Sequence, residues 1–93
     1  MYGVQFTAAA YRLFKKLPKD VRDQIATQAT SLKIDPLKGE QLYGKFRMLR
    51  SLHFSYKGVA YRIIYQVFSQ TQTVIVRLAD KRENIYKRLE EMS

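Results

Sequence analysis

An α+β domain is the fold class that this sequence predicts, and three observations predict it. Apolar residues recur at helical spacing as far as Leu32, the period changes to two from about Phe46, and a last helical stretch closes the chain. Asp35-Pro36 marks the change of period, and no repeat or internal linker follows it. With 93 residues, 46% of them hydrophobic, the chain can build one real core, so residues 1–93 read as a single domain.

Taken in order, residues 2–6 read as a short strand with Tyr2, Val4 and Phe6 on one side. Thr7 is placed to cap a helix through Leu17, in which Ala10, Leu13, Phe14 and Leu17 share a stripe. Pro18 ends that helix and can open the next, where Val21, Ile25, Ala29 and Leu32 mark one face. Asp20 and Asp23 lie near the second helix's N-terminus, where its dipole favours them. Arg12, Lys15, Lys16 and Lys19 form a solvated outer face.

Residues 37–45, with Gly39 and Gly44, form a loop. Phe46, Met48, Leu52 and Phe54 then alternate with Arg47, Leu49, Ser51 and His53, although Arg50 interrupts the apolar side. Tyr56-Lys57-Gly58 has the composition of a hairpin turn, and Val59, Tyr61, Ile63, Tyr65 and Val67 make the next apolar face. After a turn at Ser69-Gln70-Thr71-Gln72, Val74, Val76 and Leu78 oppose Thr73, Ile75 and Arg77. A final helix from about Lys81 to Glu91 turns Ile85 and Leu89 inward. The order is β-α-α-β-β-β-α: a small antiparallel sheet packed on an N-terminal helical hairpin, with a C-terminal helix. The apolar strand faces are expected under the hairpin, which leaves Arg47, His53, Arg62 and Arg77 on the other face.

Charge narrows the function. The net charge is +9, and residues 41–82 hold eight of the cations against one acid, Asp80, which makes +7 there. A surface of that kind suits a polyanion or an acidic partner. Arginine on a strand face also serves solubility and edge protection, so charge alone does not decide. With no cysteine and one histidine, neither a disulfide framework nor a thiolate or multi-histidine metal site can be built, and no cofactor is expected. No apolar run is long enough to cross a bilayer and the N-terminus reads as a strand, so a cytoplasmic protein without a membrane partner is expected.

Four short segments point further: Leu17-Pro18, Leu42-Tyr43-Gly44, Tyr61-Arg62-Ile63-Ile64-Tyr65 and Lys81-Arg82-Glu83-Asn84-Ile85-Tyr86. In that order, over essentially the whole chain, they resemble the RelE/ParE toxin superfamily of type II toxin–antitoxin systems. The resemblance implies a small sheet with a helical hairpin on one face. It implies one of two activities: RelE-like members cleave mRNA, in the ribosomal A site or free, whereas ParE-like members poison DNA gyrase. Both kinds are neutralised by an antitoxin that wraps the toxin, so a cognate antitoxin and higher-order complexes are implied partners beside mRNA and the ribosome. The RelE-like reading is taken as the expectation, with a gyrase inhibitor or an inactive basic binding module as the alternatives.

Metal-free RNA cleavage needs a base for the 2′-hydroxyl, cations for the phosphoryl charge and a proton for the departing 5′-oxygen. Arg62 and Arg82 match family positions associated with phosphate binding, a task that suits arginine's planar, permanently charged fork. Tyr86 matches a tyrosine that stacks on a base or helps proton transfer in the RelE-like branch. His53 falls near a position where relatives place a basic residue, and an imidazole suits acid or base work. Lys45, Arg47, Arg50, Lys57, Arg77 and Lys81 are expected to contact the RNA backbone. Some ribosome-dependent relatives use a carboxylate base from the sheet, but no acid lies between Gln41 and Ala79. The base is therefore expected to be a histidine, tyrosine, lysine or arginine.

Overall fold

A computed structural model describes residues 1–92. Its elements are β1 (Gly3–Phe6), α1 (Ala8–Lys15), α2 (Lys19–Ser31), β2 (Glu40–Gln41), β3 (Arg50–Tyr56), β4 (Val59–Phe68), β5 (Thr73–Lys81) and α3 (Arg82–Met92). The Thr7 hydroxyl accepts from the Ala10 amide and starts α1. Pro18 caps α2, and the Arg22 guanidinium donates to the Lys15 and Leu17 carbonyls left open where α1 ends. The helical hairpin is thus stitched at its own turn.

The strands form one sheet in the order β1-β5-β4-β3-β2. The three long strands are antiparallel neighbours, as the alternation predicts. The sheet as a whole is mixed, because β1 lies parallel to β5 with Gly3 opposite Thr73 and Phe6 opposite Val76. A two-residue strand, β2, pairs with β3 where the sequence suggests only loop. At the β3–β4 turn Lys57 and Gly58 both have positive φ, the geometry of a two-residue hairpin loop with the strands' own twist.

Helices cover both faces of the sheet, not one. Ile63 and Ile64 are adjacent in β4 and both are buried. Ile63, Tyr65, Leu52, Val74 and Val76 pack with Val21, Ile25, Ala29 and Leu32 of the α2 side. Ile64, Leu78 and Leu49 pack with Ile85 and Leu89 of α3. This second apolar stripe accounts for Leu49 and Ile64, which the alternation places opposite the hairpin-facing residues.

Two local expectations are corrected. Phe46 and Met48 do not begin a strand: Gly44–Phe46 form a single 3-10 turn, Met48 is 67% exposed and Leu49 is buried instead. Gly44 at φ +64° turns the backbone, and the Leu42 amide closes the loop on the Leu49 carbonyl, so the alternation starts only at Arg50. Val74, Val76 and Leu78 do not share a face either. Ile64 pairs with Leu78 and Tyr65 with Val76, which leaves Arg77 as an extra residue in β5. That bulge shifts the phase and sends Leu78 to the α3 side. Among the described residues, no helix is long and apolar enough to cross a membrane.

The loop before β2 is fixed from β4. The fully buried Tyr65 hydroxyl donates to the Pro36 carbonyl and accepts from the Gly39 amide, both at 2.8 Å. Gly39 fits because it lacks a Cβ, which would lie 2.6 Å from the Tyr65 oxygen. Removing that hydroxyl by Tyr65→Phe leaves two buried backbone groups unpaired and should destabilise the fold by about 1–3 kcal/mol. Gly39→Ala should cost about 1–3 kcal/mol through the clash. Denaturant midpoints measure both; unchanged midpoints would show that the loop is held by something else.

Candidate functional site

The site begins with a row of three residues across the sheet. His53 of β3 stands opposite Arg62 of β4, and Arg62 opposite Asp80 of β5. Side chains alternate along a strand, so with Ile64 committed to the α3 side, Arg62 emerges on that side too. α3 starts at Arg82, just past the row, and Arg82 and Tyr86 stand one helical turn apart.

Arg62 and Tyr86 meet: Arg62 Nη1 donates to the Tyr86 hydroxyl at 2.7 Å, and the guanidinium carbon lies 5.4 Å from the ring centroid. Arg82 stands where two shallow grooves join. One groove is lined by His53, Ser55, Arg62 and Arg82. The other runs beside Val59, Ala60, Lys81, Glu83 and Tyr86, and Ala60 and Arg82 border both. Among the described residues no ion pair takes either Arg62 or Arg82. Their charge faces the groove.

Asp80 does not neutralise them. It is buried, and its carboxylate accepts from Arg88 Nε and from the Lys81 amide, each at 2.7 Å. This acid ties α3 to the end of β5 and so aims Arg82 and Tyr86 at the groove. The charge balance shows at His53, where burial and then the nearby Arg62 and Arg82 cations hold the imidazole below its ordinary value near 6.5. A Glu40 oxygen, 3.8 Å from His53 Nε2, acts in the opposite direction. His53 is consequently neutral at neutral pH, the form that accepts a proton.

The remaining basic candidates divide. Lys81 borders the groove. Arg77 reaches Gln66 and, with Lys45, lines a separate depression beside Met48 and Met92. Gln66 stands four residues along β4 from Arg62, about 13 Å away. Lys45 also pairs with Glu90. Arg47 lies in the loop, donating to the Gly44 carbonyl, and is not on the sheet face. Arg50 is half-buried and donates to the Gly39 carbonyl, a structural task. Lys57 pairs at the hairpin tip with Asp20, whose carboxyl is held below its usual range by hydrogen bonds from Lys57 and Tyr56. Glu40 and Arg88 are the site's neighbours that the sequence did not disclose. Glu40 sits in a two-residue charged strand with no pattern to read, and Arg88 is one cation among many on a helix.

These features are those of a small mixed-sheet domain with a cationic groove at one end, and known structures define its class. It resembles the Mycobacterium tuberculosis toxin–antitoxin complex RelBE2 with 29% identity over 87% of this chain and 98% of that one, TM-score 0.74. The isolated Escherichia coli RelE toxin matches at TM-score 0.73 and 22% identity, covering 99% of this chain and 98% of that one. The archaeal RelE–RelB complex of Pyrococcus horikoshii follows at TM-score 0.62 and 20% identity, over 87% and 94%. No curated protein matches the sequence. The family model of ParE-like toxins of type II bacterial toxin–antitoxin systems matches residues 4–90, and the chain belongs to that family, within the RelE/ParE superfamily.

Because His53 is the one histidine of the chain, its titration can be followed by NMR without assignment. It should titrate below 6.5, and Arg62→Ala should raise its midpoint by removing a nearby cation. A midpoint that does not move would mean that the two groups are not neighbours in solution.

Proposed function

We propose that this toxin is a metal-independent endoribonuclease that cuts mRNA, on the translating ribosome, and thereby stops translation in the cytoplasm. The observation that carries the reading is the convergence of Arg62, Arg82, Tyr86 and His53, from two strands and a helix, on two open grooves that join at Arg82. Each has a distinct task. The neutral His53 takes the proton of the 2′-hydroxyl as its oxygen attacks the adjacent phosphorus. Arg62 and Arg82 hold the phosphoryl oxygens and stabilise the charge that builds there.

Tyr86 completes the set. Its oxygen accepts from Arg62, so its own O–H is free to donate to the departing 5′-oxygen. The products are a 2′,3′-cyclic phosphate and a 5′-hydroxyl, and the proton lost by Tyr86 returns from solvent or from His53. The ring, 56% exposed, also offers a face on which a base can stack, worth about 1–3 kcal/mol. Lys81 extends the positive border of the groove for the RNA backbone. Arg77, at the far depression, is a secondary backbone contact.

A cognate antitoxin is the second partner in this reading. The M. tuberculosis and P. horikoshii relatives are toxin–antitoxin complexes. An acidic or amphipathic antitoxin segment would suit a chain of net charge +9 and would cover the groove. Higher-order complexes follow where the antitoxin itself dimerises.

Purified protein added to translating ribosomes should yield cut mRNA. Arg62→Ala or Arg82→Ala should each slow cleavage about 10²–10³-fold, and the double variant should leave the message whole. If the parent leaves RNA whole while cleaved gyrase–DNA complexes accumulate, the chain is a gyrase-directed toxin. If it does neither and expression leaves growth unaffected, it is a binding module without activity.

A further inference from the structure

His53 has guanidinium groups on two sides. Arg62 stands opposite it on β4, Arg82 approaches from α3, and Tyr86 is joined to this group by its hydrogen bond from Arg62. When such an imidazole takes a proton it becomes a third cation in a cationic groove. The anion that acts on it is Glu40 of β2, whose Oε2 lies 3.8 Å from His53 Nε2. That distance is longer than a hydrogen bond, and such pairs commonly tighten only when substrate is bound or charge develops.

Two residues of ladder are too few to hold a strand in place, yet Glu40 is well fixed. Glu40 pairs with Ser51 and Gln41 with Arg50. The residue just before Glu40 is held at both its backbone polar groups: the Gly39 amide donates to the Tyr65 hydroxyl and the Gly39 carbonyl accepts from Arg50. Tyr65 is fully buried and Arg50 half-buried, so the clamp is anchored in the sheet itself. A loop pinned at that point delivers one carboxylate to the open face of β3.

We infer that Glu40 is a positioning residue that acts through His53: its carboxylate holds the Nε2–H tautomer, leaves Nδ1 to take the 2′-hydroxyl proton, and balances the imidazolium that results. The inference rests on the reading of His53 as the base. The step is a proton transfer only: the 2′-O–H bond breaks, an Nδ1–H bond forms, and Glu40 stays ionised throughout. It gives the site the carboxylate that the segment between Gln41 and Ala79 lacks, supplied one residue before that segment and directed at the base rather than at the substrate.

The test uses the whole chain with E40Q, H53Q and the double variant. In E40Q the lone imidazole should titrate at lower pH than in the parent, because an anion has been removed from beside it. Cleavage of ribosome-bound mRNA should slow roughly tenfold, with the acidic limb of the pH–rate profile moving the same way as the titration. In an H53Q background, E40Q should add no further loss. An unmoved titration overturns the pairing, and an undiminished loss in the H53Q background overturns action through His53. A parent chain that leaves RNA whole overturns the nuclease reading, and the catalytic half of this inference with it, even where the titration moves.

Discussion

Ile63 and Ile64 are neighbours in β4 and both are sealed from solvent, which a strand achieves only when each of its faces is covered. That constraint arranges the molecule. The hairpin of α1 and α2 takes one face, α3 must take the other, and Arg62 is carried to the α3 side by its step of two from Ile64. The row His53–Arg62 is therefore a by-product of how the core is closed. Its position relative to α3 is set by the Asp80–Arg88 pair, one partner buried and the other largely so.

Much of this was legible in the residues. Thr7, Pro18 and the Val21-Ile25-Ala29-Leu32 stripe act locally, and local rules describe them. The Lys57-Gly58 hairpin and the alternation of β4 are equally local. What was not legible depends on partners distant in sequence. Arg77 becomes an extra residue only because β4 pairs with β5 in a particular register, and the phase of Leu78 follows from that. Leu49 and Ile64 did announce a second apolar stripe, but a short α3 with two buried residues gave little reason to bring it there.

The site shows the same division. The Tyr61-Arg62-Ile63-Ile64-Tyr65 segment divides by parity: Tyr61, Ile63 and Tyr65 belong to the α2-side core, while Arg62 and Ile64 face α3. The alternation already separates Tyr61, Ile63 and Tyr65 from Arg62, but it does not disclose that Tyr65 is the clamp of the preceding loop. The basic residues divide similarly. Arg50, Lys57 and Lys45 have carbonyl or carboxylate partners that occupy them, whereas among the described residues no ion pair takes Arg62 or Arg82. A count of cations cannot tell these apart, because each partner comes from a different part of the chain.

The parallel pairing of β1 with β5 has a consequence for how the protein comes into being. β1 finds its partner only when residues 73–76 have emerged, and the groove needs α3, which is made after β5. Closing so long a loop is slow compared with forming a helix or a hairpin. No nascent fragment carries the groove, since its four side chains span His53 to Tyr86. The ribosome that synthesises this chain thus holds a polypeptide without the groove until α3 has been made, an interval in which a partner already present can meet it.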